Sequence, residues 1–128
     1  MEATVVKNAG SHYLLSCLPE WAPFPAVLRG KVRLERSAAT NPVAVGDRVE
    51  YALEGPASEL HPAVITSVLP RSNYVIRRSS NLSRQSHVIA SNLDRAVIVC
   101  TLFFPEIKLP FLDRLLVTCE VYGVRPVI

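Results

Sequence analysis

DRVEYAL, residues 47–53, alternates by residue type: Val49, Tyr51 and Leu53 fall on one side of an extended chain, and Arg48, Glu50 and Ala52 on the other. Period two marks a strand with one wet face. The same rhythm runs outward in both directions. Upstream, Tyr13, Leu15 and Cys17 alternate with Leu14, Ser16 and Leu18. In AVLRGKVRL, residues 26–34, Leu28, Gly30, Val32 and Leu34 oppose Arg29, Lys31 and Arg33. Residues 63–69 and 74–78 supply further strands, and PEWAPFP, SAATNP, EGPASELHP and LPRSN break the chain between them. Short alternating strands of this kind predict an antiparallel sheet closed into a small barrel. Its interior is expected to include Leu15, Val32, Val49, Tyr51, Ile65 and Ile76. In the turn before DRVEYAL, Gly46 supplies a position free of Cβ strain and Asp47 can hydrogen-bond into the turn.

After residue 91 the period changes. AVIVCTLFF, residues 96–104, is continuously apolar and reads as a strand covered on both faces. FLDRLLVTCEVYG follows, with Leu112, Leu115, Leu116, Cys119 and Tyr122 at helical spacing, Asp113 early in the helix and Gly123 placed to end it. RPVI then begins another strand. Strand, helix, strand is the opening of an α/β unit. SSNLSRQSH is expected to be the linker, which divides the chain into a barrel at 1–90 and the start of an α/β domain at 91–128.

Composition narrows the class. With 128 residues, 49% hydrophobic and 20% charged, the chain is globular. No apolar run reaches 18 residues, so no membrane span is expected, and the N-terminus lacks the pattern of a signal peptide. Cys17, Cys100 and Cys119 are odd in number and lie in apolar runs, which predicts buried free thiols and a reducing cytoplasm. The Asn81 sequon is then incidental. His12, His61 and His87 stand far apart with no partner at ligand spacing, so no metal site is expected.

Charge points to a partner. The net charge is +3, and residues 71–90 hold Arg71, Arg77, Arg78 and Arg84 with no acid. Arginine outnumbers lysine eleven to three, a bias that suits phosphate recognition and base stacking. Arg29, Lys31 and Arg33 on one strand would lie roughly 7 Å apart, near the phosphate spacing of an extended strand. They form either the solvated face of a barrel or a nucleic-acid groove. Candidate RNA contacts are therefore Arg29, Lys31, Arg33, Arg48, Arg71, Arg77, Arg78 and Arg84. Trp21 and Phe24 either stack on bases or plug the barrel's end.

Six segments in order, VLRGKVRL (27–34), NPVAVGDRVEY (41–51), VLPRSNYVIRR (68–78), HVIASNLDRAVIV (87–99), PFLDRLLV (110–117) and GVRPVI (123–128), resemble the N-terminal part of the ribosome small subunit-dependent GTPase A family. The family usually has a glycine before its first valines, where this chain reads Glu2-Ala3-Thr4-Val5. The resemblance implies a mainly β front half, a five-stranded OB-fold barrel binding rRNA, followed by the first strand-helix-strand of a circularly permuted P-loop-type GTPase domain. It implies GTP hydrolysis late in small-subunit maturation, with GTP, Mg2+ and one structural Zn2+ in the full-length protein, the small ribosomal subunit and its rRNA as partners, and a cytoplasmic location. Asn-Lys-x-Asp, a Gly-x-x-x-x-Gly-Lys-Ser/Thr loop and Asp-x-x-Gly do not occur in these 128 residues. No catalytic, GTP-binding or metal residue is therefore assigned here, and no cofactor is expected on this chain.

The expected protein is then the front portion of such a GTPase, inactive alone. It would be monomeric at full length; in the fragment the tail, with its apolar face of Val97, Val99, Leu115 and Leu116, is expected to be loosely ordered, to pack on the barrel or to pair with another copy. A stand-alone OB-fold RNA-binding module without enzymatic activity is the alternative. A protein-docking module using PEWAPFP is a third reading, separable by its weak response to salt.

Overall fold

The computed structural model describes residues 1–35, 42–78 and 86–128. Five strands form a closed barrel: β1 (Glu2–Ala9), β2 (His12–Ser16), β3 (Phe24–Leu28), β4 (Arg48–Ala52) and β5 (Ala63–Val68), in the order β1-β2-β3-β5-β4. The β3–β5 pair is parallel, and antiparallel β1–β4 pairing closes the ring. This is the OB-fold topology, with a short helix, α1 (Gly30–Glu35), between β3 and β4. Alternation decides what fills it. Val5, Leu15, Ala26, Val49, Tyr51 and Ile65 point inward and are buried, joined by Val43 from the segment before β4. Leu15, Val49, Tyr51 and Ile65 thus take the interior places expected of them.

Two other interior assignments are corrected. Val32 is buried, but on α1 and outside the barrel cluster. The segment 26–34 is not one strand: β3 stops at Leu28, the Arg29 N–H donates to the Ile65 carbonyl at 3.1 Å, and the chain turns into α1. Leu28 and Val32 are four apart, and over so few residues a period of two and one of 3.6 cannot be told apart. Ile76 lies on a separate two-stranded sheet, the hairpin of β6 (Tyr74–Arg78) and β7 (Ser86–Ser91), where it is half-buried. Because β7 starts at Ser86, the last two residues of SSNLSRQSH are strand rather than linker; residues 79–85 lie outside the described residues.

The α/β unit comprises β8 (Ala96–Val97), α2 (Leu109–Val121) and β9 (Pro126–Val127), with β8 and β9 paired in parallel. The helix stops as the sequence predicts. Gly123 adopts φ +69, its N–H donates to the Glu120 carbonyl, and the Val124 N–H donates to the Cys119 carbonyl at 2.8 Å. That pair of bonds is a Schellman cap. Asp113 falls beyond the first turn, which holds no acid. The covered strand expected over 96–104 is corrected too. Only Ala96 and Val97 are strand, and Val97, Val99 and Phe104 are 72%, 90% and 97% exposed. An apolar run predicts a cover, and nothing among the described residues provides one. Among the three free thiols, Cys119 is buried as expected, whereas Cys100 is half-buried and Cys17 exposed. Cys17 follows β2 directly, and its thiol lies 3.6 Å from the Tyr51 hydroxyl.

Candidate nucleic-acid interface

The turn before β4 organises the junction between barrel and hairpin. Gly46 takes φ +93 and its N–H donates to the Val5 carbonyl, while the Val5 N–H donates to the Asp47 carbonyl. This places the Asp47 side chain in the interior with no exposure. Its carboxylate accepts the Ala44 N–H at 2.9 Å, the Ser91 hydroxyl, and a bidentate pair from Arg71, Nε at 2.6 Å and an Nη at 2.7 Å. Burial alone pushes the Asp47 carboxyl up. The hydrogen bonds from Arg71, Ala44 and Ser91, with the Arg71 charge, outweigh it and hold the group below its ordinary value of 3.8. A buried carboxylate of this kind is a clamp, and it occupies the guanidinium that faces it.

That geometry redistributes the candidate cations. Arg71 is committed to Asp47, its side chain 18% exposed. Arg48, on β4, is exposed and paired with Glu2 at 2.7 Å, a surface contact that contributes little. Arg29 and Lys31 are exposed at the β3–α1 junction, so the alternate-residue cation row on a barrel strand does not exist. Arg77 is exposed on β6 opposite His87 on β7, with Arg78 next to it on the strand. The side chains of Arg33 and Arg78, and Arg84 entirely, lie outside the described residues. Among the described residues the candidate cations are therefore spread over the helix junction, β4 and the hairpin, and form no single row.

A groove of about 520 Å³ lies elsewhere on the barrel, lined by Lys7, Ala9, His12, Tyr13, Leu14, Pro25, Ala26, Glu59 and Pro62. Its floor is β1, β2 and β3, and its rim is the β4–β5 loop, residues 53–62. That loop is folded on itself, Ser58 and His61 exchanging N–H to carbonyl bonds of 3.0 and 3.1 Å. The face of the second and third strands, with the β1–β2 and β4–β5 loops, is where barrels of this topology take oligonucleotides. Lys7 and His12 bracket the tight turn at Gly10; neither was among the RNA contacts expected from the sequence, although the polar KNAGSH run holds both. Phe24 packs on Tyr51 with ring centres 5.1 Å apart, so it closes the barrel's end; Trp21 stays exposed. Among the described residues no cluster could hold a metal ion.

A profile of the RsgA GTPase family matches residues 68–128. Over 129 residues the chain is 48% identical to the small ribosomal subunit biogenesis GTPase RsgA of Porphyromonas gingivalis, covering 100% of this chain and 39% of that protein. The chain belongs with the RsgA GTPase family, as an N-terminal part. The RsgA of Phocaeicola vulgatus is 40% identical over 124 residues, 97% of this chain and 38% of that protein. Among solved structures, YjeQ from Thermotoga maritima superimposes with a TM-score of 0.65 at 26% identity, across 98% of this chain and 38% of that one. YloQ, described as a circularly permuted GTPase, gives 0.62 at 25% identity across 99% and 39%. The chain thus spans about two fifths of the length of the RsgA relatives it matches.

Proposed function

We propose that this chain is the RNA-gripping front part of a GTPase that acts in biogenesis of the small ribosomal subunit, with the β1–β2–β3 groove of the barrel holding single-stranded rRNA. The groove carries this reading: it sits on the strand face and loops that this barrel topology uses for oligonucleotides, with Lys7 and His12 at its edge. Arg29, Lys31 and Arg77, exposed on neighbouring elements, extend phosphate contact beyond it. Residues 1–90 are the RNA-binding unit, and residues 91–128 open the GTPase domain. GTP, Mg2+ and a structural Zn2+ belong to the longer protein, whose work is cytoplasmic. This chain alone neither binds nor hydrolyses GTP, because phosphoryl transfer needs a phosphate-cradling loop, its lysine and a held magnesium ion. The β8–β9 unit, with Val97 and Val99 exposed, is where copies of this chain would associate; the longer protein is monomeric.

Salt titration of the chain against single-stranded rRNA fragments tests the proposal. With three or four phosphates neutralised, log affinity falls against log salt with a slope of about −2 to −3. Lys7→Ala removes about 0.7 from that slope. A Lys7→Ala/His12→Ala protein that binds like the parent, alongside an Arg29→Ala/Lys31→Ala protein that loses binding, would move the interface to the β3–α1 junction. Saturable binding of a guanine nucleotide to the chain alone would sink the inactive-fragment reading.

A further inference from the structure

The barrel and the hairpin are joined by a set of buried and part-buried bonds. The Asp47 clamp ties Ser91 and Arg71 to the turn, Val45 pairs with Ala90 in a parallel bridge, and the Asn92 Nδ2 donates to the Gly46 carbonyl at 2.9 Å. The α/β unit is attached through the segment just ahead of β6, where one side chain reaches both ends of the unit. Asn73 Nδ2 donates to the Leu93 carbonyl at 2.7 Å and to the Gly123 carbonyl at 3.2 Å, and its Oδ1 accepts the Leu93 N–H at 2.6 Å. Beside it the Tyr74 and Tyr122 rings lie 4.8 Å apart.

We propose that Asn73 is a positioning residue, the hinge pin that fixes α2 and β9 relative to the barrel and through which occupancy of the groove is felt at the start of β9. An amide suits this place because it both donates and accepts: its carbonyl holds the chain entering the α/β unit, and its NH2 holds the carbonyl at the helix cap. Contacts lead to it from the groove. Lys7 lies beside the bulge in β1 that separates it from Val5, Val5 exchanges backbone bonds with Gly46 and Asp47, and Asn92, held by Gly46, donates its N–H to the Asn73 carbonyl at 2.9 Å. A joint held by one side-chain amide and one ring pair, next to one held by a buried ion pair and a backbone bridge, is where relative motion concentrates, and a ligand that stiffens one side alters the freedom of the other. The coupling half rests on the proposed RNA groove; the hinge half does not.

Backbone 15N relaxation of the full 128-residue chain separates the two. In the parent, α2 amides share the rotational correlation time of the barrel. Asn73→Ala makes α2 and β9 tumble measurably faster than the barrel, with the barrel's melting midpoint unchanged. Asn73→Asp, which keeps the acceptor for Leu93 and loses both donated bonds, falls between them. Equal correlation times for α2 and barrel in Asn73→Ala would overturn the hinge. In the second arm, an oligouridylate is added and amide exchange is followed at Val124, whose N–H closes the helix cap. Binding slows that exchange in the parent and leaves it unchanged in Asn73→Ala, although both bind the oligonucleotide equally. Exchange that slows equally in both proteins, or in neither while the RNA is bound, would overturn the coupling. An oligouridylate that binds neither protein refutes the RNA reading of the groove and the coupling with it, while the relaxation contrast still decides the hinge.

Discussion

Replacing Gly46 by alanine tests the joint between barrel and hairpin, and Gly10→Ala is its internal control. Both glycines have positive φ, +93 and +70. They differ in what a methyl group would meet. At Gly10 nothing lies within 4 Å, whereas at Gly46 the new carbon would sit 2.0 Å from the Ser91 carbonyl oxygen and 3.0 Å from its carbon. Backbone cannot rotate away as a side chain can, so turn and strand must part by more than about 1 Å to restore ordinary contact. Parting them strains the Ser91 N–H to Val45 bond and the Asn92 to Gly46 bond, both 2.9 Å. Two such bonds contribute about 0.5–1.5 kcal/mol each. Positive-φ strain adds about 1–3 kcal/mol, partly offset by the about 0.4–1 kcal/mol that alanine removes from unfolded-chain entropy. Gly46→Ala should therefore lose about 1–6 kcal/mol, a large share of a small domain's stability of about 5–15 kcal/mol. Gly10→Ala should lose about 1 kcal/mol, from backbone strain alone. Urea unfolding followed by far-UV circular dichroism measures both. Equal midpoints for the two variants would refute the close approach of turn and hairpin.

Asp47 carries a pH signature. Because its native carboxyl titrates below 3.8, its stabilisation is complete above that value and is lost as pH falls through the native pKa. Asp47→Asn should flatten this acid limb of the stability curve and, by stranding Arg71, cost about 3 kcal/mol at neutral pH. An acid limb as steep in the variant as in the parent would assign it to other carboxylates. Leu15→Ala, at a site with 0% exposure, should cost about 2–5 kcal/mol in the same urea assay, and a smaller loss would mean that the barrel interior collapses around the gap. Timed alkylation should modify exposed Cys17 in the native chain and Cys119 only on unfolding. Native labelling of Cys119 as fast as Cys17 would show that α2 does not keep this side chain buried.

Local patterns were legible. DRVEYAL appears as β4, and residues 63–69 and 74–78 appear as β5 and β6 within one residue at either end, because alternating side chains state which face is wet. The helix at α2 and its stop at Gly123 were legible for the same reason at the other period. Non-local geometry was not. The closure of β1 on β4 joins residues more than forty positions apart, and the parallel pairing of β3 with β5 leaves no local mark. Arg71 shows why charge alone misleads: the cation is visible in a run without acids, but its partner Asp47 is 24 residues away. The groove was hidden for a similar reason, since Lys7, Pro25 and Glu59 meet only after the strands are ordered. The KNAGSH run held its two basic edge residues, at a turn whose position on the barrel only the fold determines.

The β4–β5 loop has an evolutionary consequence. Every barrel strand is bonded on both sides, so lengthening or shortening residues 53–62 leaves the strand register untouched. Loop closure grows only slowly with length, each doubling costing about 0.6 kcal/mol. The groove's floor belongs to the closed ring and its rim to this segment, where Glu59 and Pro62 stand. Selection can therefore redraw which ligand shape the groove would fit by inserting or deleting residues at the rim, with almost no penalty in folding.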